Sequence, residues 1–216
     1  MLTRKGSDVF KARLVMRGYK DRHPHSIDQI YAPVPKVDSL QLMLAIAVNN
    51  GFLITQMDIV AAFQNSPIDY DIYVQPPAGF ECQLDSFLRL KKSSYGLNTA
   101  AKDWYDEINI IFDLANLRRL LTDPCIFINN DRSLIVFVYV DDILAFTREQ
   151  TLVDDLIKVI SSKVKVKIIG QPRKLLGMRF TFNSDGSIKL DQESYVDELL
   201  RKFHMTDVNG VKKPME

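Results

Sequence analysis

The stretch Leu134-Ile-Val-Phe-Val-Tyr-Val-Asp-Asp-Ile-Leu-Ala-Phe146 decides how this chain is read. An apolar strand runs into two adjacent carboxylates, Asp141 and Asp142, and a second apolar strand leaves them. That is the pattern of a buried β-hairpin, over 133–147, with charge at its tip. Carboxylates beside buried strands are costly unless a positive group meets them. A divalent metal ion suits that role, because hard cations prefer carboxylate oxygens. The plainer alternative is a solvated Asp-Asp turn.

Outward from the hairpin, a further acid falls at a strand end. Phe52–Met57 is a short apolar strand and Asp58 follows it, before a short helical turn or tight bend that starts over Ile59–Phe63. Taken alone, Asp58 is better explained as a helix N-cap. Near the start, residues 9–17 alternate as a strand does, with Lys11, Arg13 and Arg17 on one face and Ala12, Leu14 and Met16 on the other. Between Met1 and Arg22 there are seven basic residues against two acidic ones. Such a cationic face suits a phosphate-bearing ligand, or protects a solvated edge strand.

Four helices are expected. Asp38-Ser39 caps one that runs to Asn50 and ends at Gly51, with apolar residues almost all round it. A second begins at Asn98 or Thr99 and carries Ala101, Trp104, Tyr105, Ile108, Ile111, Phe112 and Ala115 at helical spacing, which makes Trp104 and Tyr105 core residues. The others span 149–162 and Asp191–Phe203. Short strands are expected at Ile72–Gln75, Phe87–Leu90 and Ile126–Ile128, a basic-faced one at 163–169, and a pair, Leu175–Phe182 with Ser187–Leu190, joined by a turn containing Asp-Gly. The sum is α+β, with helices over an antiparallel sheet. No glycine-rich phosphate loop occurs.

With 216 residues and a net charge of +1, the chain is long enough for a sizeable core and its overall charge does not announce a nucleic-acid partner. No apolar run has the length of a membrane span. Cys82 and Cys125 are far apart and read as free thiols, and the three histidines do not form a metal set.

One acid at a strand end and a hairpin-borne pair far along the chain outline a two-metal site. Two ions about 3.5–4 Å apart clamp both oxygens of a phosphoryl displacement. An ordered set of motifs carries a resemblance as well. Lys11-Ala-Arg-Leu-Val-Met-Arg-Gly18, Tyr31-Ala-Pro-Val34, Gln56-Met-Asp58 with Ala62-Phe63, Tyr73-Val-Gln-Pro-Pro-Ala-Gly-Phe80, Lys92-Ser-Ser-Tyr-Gly-Leu97, Trp104-Tyr105, Tyr139-Val-Asp-Asp-Ile-Leu144 and Leu176-Gly177 resemble, in order and spacing, the copia-type (Pseudoviridae) retrotransposon reverse transcriptases.

The resemblance implies one domain over 1–216, a right-hand polymerase palm with partial fingers, acting as an RNA-directed DNA polymerase. It implies that Asp58, Asp141 and Asp142, with the Ile59 carbonyl, hold two Mg2+ ions, Mn2+ being the substitute. Nucleotide contacts are implied for Lys11, Arg13, Arg17, Ile59, Ala62, Phe63, Tyr95 and Gly96, with Phe63 blocking a ribose 2′-hydroxyl. A primer grip is implied at Leu176, Gly177 and Met178. The implied partners are an RNA or DNA template, a nucleic-acid primer, deoxynucleoside triphosphates and the rest of a Pol polyprotein, with no membrane. The implied setting is a cytoplasmic particle, the nucleus being the alternative.

Departures accompany the match. Asn98-Thr-Ala-Ala101 replaces the family's Lys-Gln-Ala-Pro, a lost basic residue and a lost proline that weaken template contact or loosen the helix start, and Ile168-Ile-Gly170 replaces Asp-Leu-Gly. The fingers strand before Lys11 reads as truncated, and no ribonuclease H, integrase or protease sequence is expected in the chain. The rival reading is an inactive remnant that at most binds primer–template.

Overall fold

The computed structural model describes residues 2–5, 9–81, 83, 86–208 and 210, with side chains from residue 12 onward. Cys82 and the side chain of Lys11 lie outside this description.

Strands β1 (Leu2–Lys5) and β2 (Val9–Ala12) pair antiparallel. A short helix α1 (Ile27–Ile30) precedes α2 (Val37–Asn50), and β3 (Leu53–Ile59) follows. β4 (Tyr73–Val74) and β5 (Leu88–Arg89) form a small ladder before α3 (Ala100–Leu114). Then come β6 (Arg118–Arg119), β7 (Ile126–Ile128), the hairpin strands β8 (Leu134–Tyr139) and β9 (Asp142–Thr147), α4 (Gln150–Lys163) and β10 (Val166–Gly170). Strands β11 (Lys174–Leu175), β12 (Met178–Phe182) and β13 (Ile188–Asp191) lead to α5 (Glu193–Lys202). The chain is α+β with antiparallel sheets, as its patterning requires. No helix among the described residues is long and apolar enough to cross a membrane.

The central sheet has six strands in the order β10-β3-β9-β8-β7-β6. Both its faces are covered, which explains why the hairpin strands read as continuous apolar runs. Side chains alternate across a strand. One face carries Met57, Ile59, Val136, Val138, Ile143 and Ala145 against Trp104, Ile108, Ile111 and Phe112 of α3 and Val153, Leu156 and Ile160 of α4. The other carries Ile54, Phe137, Leu144 and Phe146 against Leu40, Met43, Leu44 and Ala47 of α2 and Leu175, Met178 and Phe180 of the β11–β13 sheet.

Several expectations need correction. The strand expected over 9–17 ends at Ala12. From there the chain leaves β1, and Met16 N–H donates to Tyr95 O at 2.7 Å and Gly18 N–H to Gly96 O at 3.0 Å. Helix α2 starts at Val37 with Lys36 as its cap residue. The expected cap fails because Ser39 Oγ donates instead to buried Asp123 at 2.6 Å, which also accepts from Lys36 N–H at 3.3 Å. Nor is α2 buried all round: Leu42 is 57% exposed. Asp58 does not cap a helix; it lies inside β3. Lys163 belongs to α4 rather than to the basic strand. At the start of α3, Thr99 Oγ1 donates to the Asp103 carboxylate at 2.9 Å. Cys125 is a free buried thiol that burial, with Asp123 beside it, pushes up to about 12.

The Phe112 and Phe127 rings meet edge-on with centroids 4.7 Å apart, both at most 1% exposed. Phe127→Ala therefore opens a cavity between α3 and the sheet, and should cost about 3–5 kcal/mol in urea unfolding. A loss below about 1 kcal/mol would contradict this packing.

Candidate active site

Strand register brings the acids together. Asp58 of β3 pairs directly with Asp142 of β9, and Asp142 pairs on its other side with Tyr139 of β8. Directly paired residues share a sheet face. Asp58 and Asp142 therefore point to the side that holds α2 and the β11–β13 sheet, at the end of the central sheet. Asp141 sits in the two-residue turn between β8 and β9, and its carbonyl accepts from Ile59 N–H at 2.7 Å.

The turn is strained. Val140 has φ 54°, a left-handed value unfavourable for a β-branched residue. Such a conformation costs on the order of 1–3 kcal/mol and persists only where the surroundings enforce it. Trp104 of α3, 2% exposed, donates its indole N–H to Val140 O at 2.6 Å from the opposite face.

Asp142 is half-buried. Burial raises its pKa above the ordinary carboxylate value; a hydrogen bond from Gln56 opposes this, and the neighbouring Asp141 and Asp58 charges add to the rise. Gln56 Nε2 donates to Asp142 Oδ1 at 2.9 Å and to Lys174 O at 3.4 Å. This amide ties the acid to the β11–β12 hairpin. Leu176 and Gly177 form the tip of that hairpin with φ 52° and 76°, and Met178 is buried beneath it. On its other side, Asp58 pairs directly with Lys167 of β10. A cross-strand row thus reads Lys167, Asp58, Asp142, Tyr139.

The donor set is chemically right for a hard divalent ion, being carboxylate oxygen throughout. As their side chains stand, no three Asp, Glu, His or Cys groups among the described residues enclose a metal position. The Asp142 carboxylate is turned toward Gln56.

A second group assembles from the implied nucleotide contacts. Phe63, half-buried, meets the Tyr95 ring edge-on with centroids 4.9 Å apart. The Arg13 guanidinium lies 5.9 Å from the centre of that ring. Gly96 has φ 89°, and a Cβ there would come within 2.2 Å of Met16 O, so only glycine lets the two segments approach. Ala62 is buried, and Arg17 is exposed at the start of a 3-10 turn.

The family model described as reverse transcriptase (RNA-dependent DNA polymerase) matches residues 3–216. The chain belongs to this family. Curated relatives agree on its branch: they are copia-type Pol polyproteins. The chain is similar to the Retrovirus-related Pol polyprotein from transposon TNT 1-94 of Nicotiana tabacum, with 28% identity over 212 residues, covering 95% of this chain and 16% of that one. For the Retrovirus-related Pol polyprotein from transposon RE2 of Arabidopsis thaliana the identity is 30% over 210 residues, with 95% of this chain and 14% of that one covered. For the Transposon Ty1-NL2 Gag-Pol polyprotein of Saccharomyces cerevisiae it is 27% over 214 residues, with 95% and 12% covered. The chain thus spans less than a fifth of the length of these relatives. Among solved structures, telomerase from Candida albicans in complex with a telomeric RNA fragment aligns with 82% of this chain and 40% of its own, at 10% identity and a TM-score of 0.38.

In this reverse transcriptase domain, two site residues escape sequence reasoning. Gln56 is 4% exposed in a strand of apolar neighbours, and its spacing of two from Asp58 is the signal that would have marked it. Lys167 carries no local signal, because only the pairing of β10 with β3 sets it beside Asp58.

The raised pKa of Asp142 has a thermodynamic sign. Folding favours its protonated form, so its contribution stabilises the fold at low pH and is lost as the pH rises through the folded value. Asp142→Asn should therefore raise the melting temperature of the metal-free domain at pH 7, with the gain shrinking toward pH 4. A lowered melting temperature at pH 7 would show that this carboxylate is a stabilising ion.

Proposed function

We propose that this chain is the polymerase core of a copia-type element and extends a nucleic-acid primer with deoxynucleotides on an RNA or DNA template. The observation that carries the reading is the direct cross-strand pairing of Asp58 with Asp142, with Asp141 in the adjoining turn. In this reading the six-stranded sheet with α3 and α4 is the palm of a right hand. The β1–β2 pair and the Tyr95–Gly96 loop belong to partial fingers.

Asp58, Asp141 and Asp142, with the Ile59 carbonyl, would hold two Mg2+ ions, or Mn2+ in their place. Such ions lower the pKa of an attacking hydroxyl and steady the charge on a leaving pyrophosphate. The chain's own residues supply position and charge. Phe63 backs onto Tyr95, and a rigid aromatic edge there excludes a 2′-hydroxyl. Arg13, held over the same ring, meets the triphosphate, with Arg17 adding positive potential along the approach. Lys167, set opposite Asp58, adds a cation where negative charge gathers. The tip Leu176-Gly177, with Met178 anchored in the core, holds the primer strand, and Gln56 keeps that hairpin in register with Asp142. Asn98, which stands where the family has lysine, donates to Gly18 O at 3.3 Å and ties the loop to the fingers segment.

Primer extension on an RNA template with Mg2+ or Mn2+ tests this. Asp141→Asn/Asp142→Asn should abolish extension, by about 100-fold or more, while salt-sensitive binding of primer–template survives. A folded wild-type chain that binds duplex and never extends it would leave only a binding module.

Phe63→Ala should raise ribonucleotide incorporation relative to deoxynucleotide by about 10-fold or more, read from competing single-nucleotide additions. An unchanged ratio would remove Phe63 from sugar selection.

A further inference from the structure

Behind the acidic turn, on the face away from the carboxylates, one side chain meets the strained residue. The Trp104 indole N–H donates to Val140 O at 2.6 Å. The carbonyl carbon of Val140 is bonded to the backbone nitrogen of Asp141, so this contact fixes the peptide plane from which Asp141 leaves. A cavity of about 270 Å3 lies on this side, lined by Phe63, Trp104, Val138 and Val140 among others. The tight hairpin requires the positive φ of Val140, and without the indole donor the Val140–Asp141 peptide would gain freedom to rotate within that turn and carry Asp141 with it.

We propose that Trp104 is a positioning residue for the metal-binding carboxylates: its indole N–H locks the Val140–Asp141 peptide so that Asp141 and Asp142 meet the same ions as Asp58. This rests on the reading of the three acids as metal ligands. A group that orients ligands without touching the metal still sets its affinity, since loss of such partners costs about 10–100-fold. Tyr105, the next residue, provides the control. Its hydroxyl donates to Pro124 O at 2.8 Å, a bond of the same kind that leads away from the hairpin.

The test is Mn2+ binding by electron paramagnetic resonance on the full chain, with steady-state primer extension alongside. Trp104→Phe keeps an aromatic ring and removes the donor. It should weaken Mn2+ binding about 10-fold and lower kcat, with the deoxynucleotide KM unchanged. Tyr105→Phe should match the wild type in both. If Trp104→Phe does not melt cooperatively, an isosteric side chain with sulfur in place of the indole N–H takes its place in the same comparison. Wild-type Mn2+ affinity in the donor-free variant overturns the proposal. So does a Tyr105→Phe loss as large as that of Trp104→Phe, which would mark a general packing effect. If the wild type binds no Mn2+, or Asp141→Asn/Asp142→Asn binds it as tightly, the metal reading itself fails and takes this proposal with it. If the acids bind Mn2+ and the indole N–H proves irrelevant, the metal reading stands and only the role of Trp104 falls.

Discussion

Two carboxylates directly opposite each other on adjacent strands repel, and the register that puts Asp58 against Asp142 has to be enforced by the rest of the protein. A slip of one residue in β3 or β9 would send one acid to the other face of the sheet. What forbids the slip is burial on both sides. Met57, Ile59, Ile143 and Ala145 are committed to the α3–α4 face, while Ile54, Leu144 and Phe146 are committed to the α2 face. Exchanging the two sets would move large side chains into spaces shaped for others, in interiors packed as densely as organic crystals. The core thus stabilises the fold and also fixes an electrostatic conflict at the end of the sheet.

The conflict is local, and the groups around it are few. Gln56 donates to one oxygen of Asp142 and thereby favours its charged form, against burial and the two neighbouring acids. Trp104 holds the strained turn from behind. Lys167 faces Asp58 from the edge strand. These three come from three elements far apart in the chain, and each approaches the acidic pair from a different direction. A site in which like charges gather in half-buried surroundings is costly to fold, and such a cluster marks a candidate functional site.

Much of this was legible in the sequence where the signal is local. The hairpin over 134–147 follows from two apolar runs around Asp141 and Asp142, and α3 from its helical spacing of Trp104, Ile108, Ile111 and Phe112. The ordered motifs pointed to the family that the matched family model shows. Failures came where a non-local partner overrides local pattern. Alternation in 9–17 reads as one strand, yet the segment after Ala12 is drawn to Tyr95 and Gly96 instead. Ser39 reads as a cap, yet its hydroxyl goes to Asp123, far along the chain. Lys167 reads as one of a row of surface lysines, and only sheet order sets it apart. Gln56 was within reach, since a buried amide two residues from an acid on a strand shares its face.

The central proposal is that Asp58, Asp141 and Asp142 together form the metal centre of a polymerase. Anomalous diffraction from crystals of the chain with Mn2+, a primer–template and a non-hydrolysable deoxynucleotide tests it most directly. The account predicts two manganese peaks, with Asp58 and at least one of Asp141 and Asp142 coordinating, and the nucleotide's phosphates completing the shell. Manganese bound elsewhere, with these three carboxylates hydrogen-bonded only to protein and solvent in the complex, would contradict it.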